Sequence, residues 1–405
     1  MDAGNSIDHE TLSQFRLFLE EHCADLCRFQ HVKYDDLQPQ QVNVAREVCL
    51  GIPDTFADIR VQPPGKVSYF VEIDIGYPLS EILQRLGRKY GPGNHGLDDG
   101  SKVVVVLDRL ERPRAEVETE IRKVLHPSIT LELWEPEELI RRTNDCFNVK
   151  LERIEPGNVM QVRTTLDQAK WEYAFGTNSA NTELLPSLLW RFGHWRLKSF
   201  NERLGVGPQD VLPPANYKNV IVLLADLSSY SSFVRDTRDH AVVRHALTTF
   251  YSNARYAAIT CDGMLLQFVG DEIVALFNIP HESSHAPQSA LKCAELLLDI
   301  GKSVANGWQR KIDRVQKTSG VHVAIGVGDL DVVHERPLAR ANMAAVGDVI
   351  NLTARMLSHA AANEVIVSNT LYHQFDAGTQ SRFQEQAPIE ARNVGMIKAW
   401  LMSNS

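Results

Sequence analysis

The sequence predicts an α+β protein in two parts, an N-terminal α/β domain and a separate C-terminal α+β domain. Three observations carry this. The 405 residues exceed one ordinary globular domain. Short apolar, strand-like runs alternate with stretches of helical period both before and after residue 200. A Gly- and Pro-rich segment, residues 205–219 (GVGPQDVLPPANYKN), punctuates the chain between the two regions. With 44% hydrophobic and 23% charged residues, the chain has the apolar material for packed cores and too little charge for disorder.

Phe15, Leu17, Phe18, Leu19, Leu26 and Phe29 recur with helical period and predict an amphipathic helix over residues 10–31. Strand-like runs follow at 69–75 (YFVEIDI), 103–107 (VVVVL) and 129–134 (ITLELW), with helical stretches at 79–90 and 114–124 between them. That alternation gives an N-terminal α/β domain over residues 1–155. Asp58, Glu72 and Asp74 stand in an order that loosely resembles restriction-endonuclease-like folds. The lysine of that motif is missing two positions after Glu72, where Asp74 stands. A degenerate sensor or dimerisation module is the expectation, with metal-dependent DNA cleavage as the competing reading. Residues 156–216 read as a connector: a helix over 184–203 bearing Leu188, Leu189, Trp190, Phe192 and Trp195, then the linker.

Composition excludes several classes. The 42 basic and 51 acidic residues leave a formal charge of -9, so no overall field draws the chain to nucleic acid. No apolar run is long enough to span a membrane, and the start (MDAGNSIDHE) lacks the basic and apolar regions of a signal peptide, so a cytoplasmic location is expected. The six cysteines are scattered and are expected to be reduced. Cys23, Cys27 and His31 would share one helix face near His22, which leaves two readings open, a zinc site or buried helix cysteines.

The third region, residues 217–405, opens with VIVLLA (220–225) and then Asp226, a buried strand delivering a carboxylate to the rim of a sheet. Residues 264–269 and 272–277 read as strands joined by Gly270-Asp271, a two-residue turn of type II′ with Asp271 at its tip. A helix over 241–260 would return the chain so that Asp226 and Asp271 meet. Either aspartate alone also reads as a turn or cap residue. Two carboxylates brought together are costly unless a cation neutralises them, which points to hard divalent metals bridging phosphate oxygens. In VGDVINLTAR (346–355) a glycine turn opens a helix on which Asn351 and Arg355 share one face, with Ile350, Ala354 and Leu357 as the expected core stripe. Such a pair suits a ribose and charge developing on a phosphoryl group.

These motifs, ADLSSYSSF (225–233), GMLLQFVGDEIVALFN (263–278), GVHVAIGVGDL (320–330), VGDVINLTARM (346–356) and VIVS (365–368), together resemble the catalytic domain of class III adenylate/guanylate cyclases over about 185 residues. The resemblance implies a ferredoxin-like βααββαβ sandwich. It implies two divalent ions, Mg²⁺ or Mn²⁺, at a metal site of Asp226, Leu227 and Asp271, ribose orientation by Asn351, transition-state stabilisation by Arg355, and a phosphate contact by Arg392. It further implies cyclisation of a nucleoside triphosphate with loss of pyrophosphate, in a homodimer whose sites lie at the interface.

The family's adenine-reading lysine and aspartate correspond here to Gln267 and Ala344. That departure resembles the bacterial Pycsar pyrimidine cyclases, so the expectation is a UTP or CTP cyclase, UTP ahead of CTP, making cyclic UMP or cyclic CMP for a separate effector protein in antiphage defence. Tyr230 stands where most members carry Phe; it reads either as narrowing the base pocket or as a core aromatic. The alternatives are an adenylate or guanylate cyclase with atypical base contacts and an inactive nucleotide-binding pseudo-cyclase.

Overall fold

The computed structural model describes residues 9–94, 97, 100–110, 112–177, 183–316, 318–335, 341–391 and 395–403. The chain divides into two compact units, 1–170 and 171–405. No helix among the described residues is long and apolar enough to cross a membrane.

The first unit runs α1 (His9–Tyr34), β1 (Asn43–Cys49), β2 (Phe56–Gln62), β3 (Tyr69–Ile73), α2 (Leu79–Tyr90), β4 (Lys102–Val106), α3 (Arg114–Val124), β5 (Thr130–Trp134) and α4 (Pro136–Phe147). Its sheet has the order β1-β2-β3-β4-β5, antiparallel from β1 to β3 and parallel from β3 to β5. Of the parallel strands, β3 and β4 are buried on both faces, whereas the edge strand β5 alternates. On one face Val103 and Val105 pack with Leu86 of α2 and Ile121 of α3.

A network of buried charge crosses this unit. Asp58 accepts the Ile73 amide at 2.7 Å, and the Lys89 ammonium reaches Asp58 at 3.3 Å and also binds Glu72. Glu72 accepts the Tyr90 hydroxyl as well, and Asp74 faces Arg85 at 3.2 Å. Among the described residues no group of three or more His, Cys, Asp and Glu is arranged to hold a metal ion. Burial pushes Glu72 up to about 8, with Asp58 adding to the shift and Lys89 pulling against it. Between the ordinary carboxyl range and pH 8 the folded chain therefore holds a proton that the unfolded chain lacks, so stability falls as pH rises through that window. Replacing Glu72 with Gln is expected to remove a slope of about 1.4 kcal/mol per pH unit, read from urea midpoints between pH 5.5 and 7.5. Identical slopes in the two proteins would contradict the assignment.

The zinc reading of the first helix is not supported. Cys23 and Cys27 are buried, which raises both thiols, Cys27 to about 12. His31 turns its ring nitrogens to Asp35 at 2.5 Å and to the Tyr69 hydroxyl at 3.1 Å, and His22 bonds Thr143 at 2.8 Å.

The division between the units falls within α5 (Val159–Phe175). The second unit continues with α6 (Leu184–Arg191), α7 (His194–Leu204), β6 (Ala215–Leu227), α8 (Tyr230–Asp236), α9 (His240–Thr260), β7 (Met264–Val269), β8 (Glu272–Phe277) and α10 (Ala286–Ile312). Then come β9 (Val321–His334), β10 (Met343–Val346), α11 (Asp348–Leu357), β11 (Val365–Ser368), α12 (Asn369–Tyr372), α13 (Ala377–Gln380), β12 (Phe383–Glu385), β13 (Ile389–Ala391), β14 (Gly395–Ile397) and β15 (Ala399–Met402). The main sheet has the order β12-β15-β11-β9-β6-β8-β7, with β10 beside β9 and β13 paired with β14 apart from it. β6 lies antiparallel between β8 and β9 at its centre.

One face of this sheet is covered by α9 and α10 and the other by α6, α7 and α11. Residues 156–216, expected as connector and linker, differ from that reading. Leu184, Leu188, Leu189, Phe192, Leu197, Phe200, Val211 and Leu212 are buried against Val220, Val222 and Leu224 of β6, because the sheet's second face needs apolar cover. The single helix expected over 184–203 breaks at Phe192-Gly193 into α6 and α7.

Candidate active site

β6 is buried from Val220 to Ala225 and reaches the sheet rim at Asp226. Period-two alternation puts Asp226 on the face of Val222 and Leu224. β7 and β8 meet through Gly270-Asp271, and Gly270 takes φ +63°, a conformation that costs glycine little and that opens a tight hairpin. β8 pairs with β6 so that Glu272 lies opposite Asp226, which brings the hairpin tip against the end of β6. Asp271 at that tip therefore comes close enough to Asp226 for the two carboxyls to act on each other. Burial first, and then the Asp226 carboxyl, push Asp271 up to about 7. Asp226 is raised as well, by burial first, while Asp271 and the Leu227 amide oppose the shift and Glu272 adds to it. The two carboxyls thus disfavour each other's charge, as carboxylates brought together do.

Three neighbours of this pair were not legible in the sequence. His322 of β9 is the register partner of Asp226. Its Nε2 lies 3.7 Å from Asp226 Oδ2 and its Nδ1 is 3.1 Å from the Ser228 hydroxyl. Glu272 is raised by burial and by Asp271, so the rim carries three carboxyls. Tyr251 of α9 donates its hydroxyl to the Gly270 carbonyl and packs its ring on Phe268 at 4.4 Å between centroids. Pattern reading finds the strands that carry such residues, whereas only register and helix docking put them beside an aspartate.

Tyr230 begins α8, after Ser229 in a left-handed conformation, and its ring meets Trp308 edge-on at 6.2 Å. Burial and the Asp271 charge raise its hydroxyl. It therefore belongs to the aspartate end of the unit. Gln267 is exposed on β7, and Ala344 is half-buried on β10 opposite Val333. Asn351 and Arg355 are both exposed on α11, and among the described residues neither side chain is joined to Asp226 or Asp271 by a hydrogen bond or ion pair. The core stripe of α11 is Val349, Thr353, Met356 and Leu357; Ile350 is only half-buried and Ala354 is exposed. Thr353 tolerates burial because its hydroxyl donates to the Val349 carbonyl at 2.7 Å. At the start of α11, a Cβ on Gly347 would meet the Asp329 carbonyl oxygen at 2.7 Å, so the close approach of this turn to β9 needs glycine. Arg392 lies outside the described residues.

The donor set suits a divalent cation. Asp226 and Asp271 offer oxygen ligands only, a cation would relieve the charge that burial and proximity penalise there, and Leu227 has a main-chain carbonyl to add. That is the chemistry of Mg²⁺ or Mn²⁺ and not of a thiolate metal.

Residues 212–404 match the family model described as the adenylate and guanylate cyclase catalytic domain. Among solved structures, the guanylyl cyclase Cya2 is 19% identical and the alignment covers 47% of this chain and 94% of that one, with a TM-score of 0.41. The adenylyl cyclase CyaB from P. aeruginosa is 16% identical, with 48% and 97% covered and a TM-score of 0.41. The guanylate cyclase domain of RhGC from Catenaria anguillulae, in complex with GTP, is 16% identical, with 47% and 98% covered and a TM-score of 0.37. No curated protein matches the chain. The C-terminal segment thus carries the class III adenylate/guanylate cyclase catalytic fold in a mixed α+β domain.

These findings correct the substrate expectation. The family model matched is that of adenylate and guanylate cyclases, so the pyrimidine reading, with cyclic UMP or cyclic CMP and antiphage defence, is overturned. The physical reason is plain. Missing purine contacts at Gln267 and Ala344 describe what a pocket lacks without selecting a smaller ring, and Tyr230, offered as the narrowing residue, packs on Trp308 beside Asp271.

Proposed function

We propose that the second unit is a nucleotide cyclase acting on a purine nucleoside triphosphate, ATP or GTP, with each active site shared by two copies of the chain. The observation that carries this is the strand register that sets the Asp271 hairpin tip against the Asp226 end of β6 at the sheet rim. In the reaction the ribose 3′-oxygen forms a bond to the α-phosphorus and the bond from that phosphorus to the oxygen bridging the β-phosphate breaks. Pyrophosphate leaves, and the hydroxyl proton passes to solvent. Asp226, Asp271 and the Leu227 carbonyl would hold two divalent ions, which when bound would supply neutralising charge at the triphosphate and lower the pKa of the 3′-hydroxyl.

The chain's own residues do the rest. Tyr251 holds the hairpin tip through the Gly270 carbonyl, which keeps Asp271 against Asp226. Asn351 orients the ribose, and Arg355 meets the negative charge that grows on the α-phosphoryl oxygens. Both are exposed and unconnected to the aspartates of their own chain, which supports their serving the site of a second copy in a homodimer. The exposed Gln267 amide can donate and accept, and so can read either purine edge; Ala344 adds no polar contact. Arg392 is assigned to the terminal phosphates by resemblance. The central strand order β9-β6-β8-β7 supports a ferredoxin-like βααββαβ reading.

The test is direct. The purified protein is incubated with ATP, GTP, UTP and CTP separately, each with Mn²⁺, and the products are resolved by chromatography. Cyclic AMP or cyclic GMP is the expected product, and cyclisation of UTP or CTP alone would overturn the proposal.

A further inference from the structure

β7 and β8 keep regular register from the hairpin tip until Gln267 stands opposite Val274 and Leu265 opposite Ala275, so that Leu266 is the extra residue of a bulge. The bulge sets which way Gln267 points. Val274 pairs with Leu224, so Gln267 comes onto the face that carries Leu224 and Asp226. With regular pairing continued from Leu265, Gln267 would lie opposite Ile273 and on the other face. Met264, Leu265 and Leu266 are accordingly all buried in succession, and Gln267 is exposed.

A bulge frees backbone carbonyls from the ladder, and here a cation from α6 takes them. Arg191, the last residue of α6, donates Nη1 to the Leu266 carbonyl at 2.6 Å and lies 3.4 Å from that of Leu265. Its neighbour Trp190 meets Phe268 edge-on at 6.4 Å between centroids, and Phe268 packs on Tyr251, whose hydroxyl holds Gly270 next to Asp271. Arg255 of α9 fixes the end of α6 by donating Nε to the Trp190 carbonyl at 2.9 Å and Nη2 to that of Leu189 at 2.6 Å. The end of α6 therefore grips both functional ends of β7.

We propose that Arg191 is a positioning residue, fixing through the β7 bulge the strand phase that presents Gln267 to the purine and seats the hairpin of Asp271. This rests on the cyclase reading for its kinetic consequence and on contacts alone for its structural one. Arg191→Met is expected to lower kcat/KM roughly ten- to hundredfold and to change the ratio between ATP and GTP. Arg191→Lys, which keeps one cationic donor for the Leu266 carbonyl, is expected to recover much of both. In the full chain, amide hydrogen exchange over residues 264–272 should quicken in Arg191→Met and return toward the wild type in Arg191→Lys. Unchanged exchange, or a loss equal for both nucleotides that lysine does not rescue, would overturn the proposal. A wild-type protein that cyclises neither ATP nor GTP would instead refute the cyclase reading, and the exchange comparison would still decide the role of Arg191.

Discussion

Asp271→Asn is expected to lower cyclic nucleotide formation at least about a thousandfold while leaving the fold intact. A two-residue turn pushes Asp271 out of the sheet, and the β6–β8 register sets it against Asp226, where burial and the neighbouring carboxyl raise it. Asparagine keeps the shape and removes the negative charge that a metal ligand needs. Loss of a charge that was costly to hold there does not threaten folding, so the variant separates chemistry from stability. Product quantification beside a thermal melt checks it. Turnover within a few-fold of wild type would mean that the aspartate pair does not serve the reaction.

Arg355→Ala is expected to lower kcat by about a thousandfold with little change in KM, the pattern of a contact made only in the transition state. The side chain is exposed on α11, whose packing depends on Val349, Thr353, Met356 and Leu357, so stability should stay within about 0.5 kcal/mol of wild type. Steady-state kinetics on the preferred nucleotide measure the split. A rise in KM with kcat unchanged would assign Arg355 to ordinary substrate binding.

Much of the second unit was legible because its signals are local. A glycine-first turn between two alternating apolar runs sets β7 and β8, whose limits in the structure are those read from the sequence. What failed was non-local. β1 and β2 went unread because Arg46 and Asp58 interrupt their apolar pattern, and the partners that make those charges tolerable, Glu20 and Lys89, come from distant helices. Residues 184–212 read as a connector because their apolar surface has meaning only against a sheet that has not yet appeared in the chain. On α11 the buried stripe was misassigned, since a threonine that satisfies its own hydroxyl packs where the sequence suggested isoleucine. At the site, Asp226 and Asp271 were predicted to meet, whereas His322 and Tyr251 depend on register and helix docking. The base was misread because hydrogen-bonding groups that are absent cannot specify a ligand.

The shared site is tested most directly by co-expressing Asp271→Asn and Arg355→Ala chains at equal levels. Half of the dimers would then be mixed, each with one intact site and one doubly defective site, and activity should return to about a quarter of wild type from two nearly inactive parents. Activity no higher than that of the parents, in dimers shown to be mixed, would contradict a site assembled from two chains.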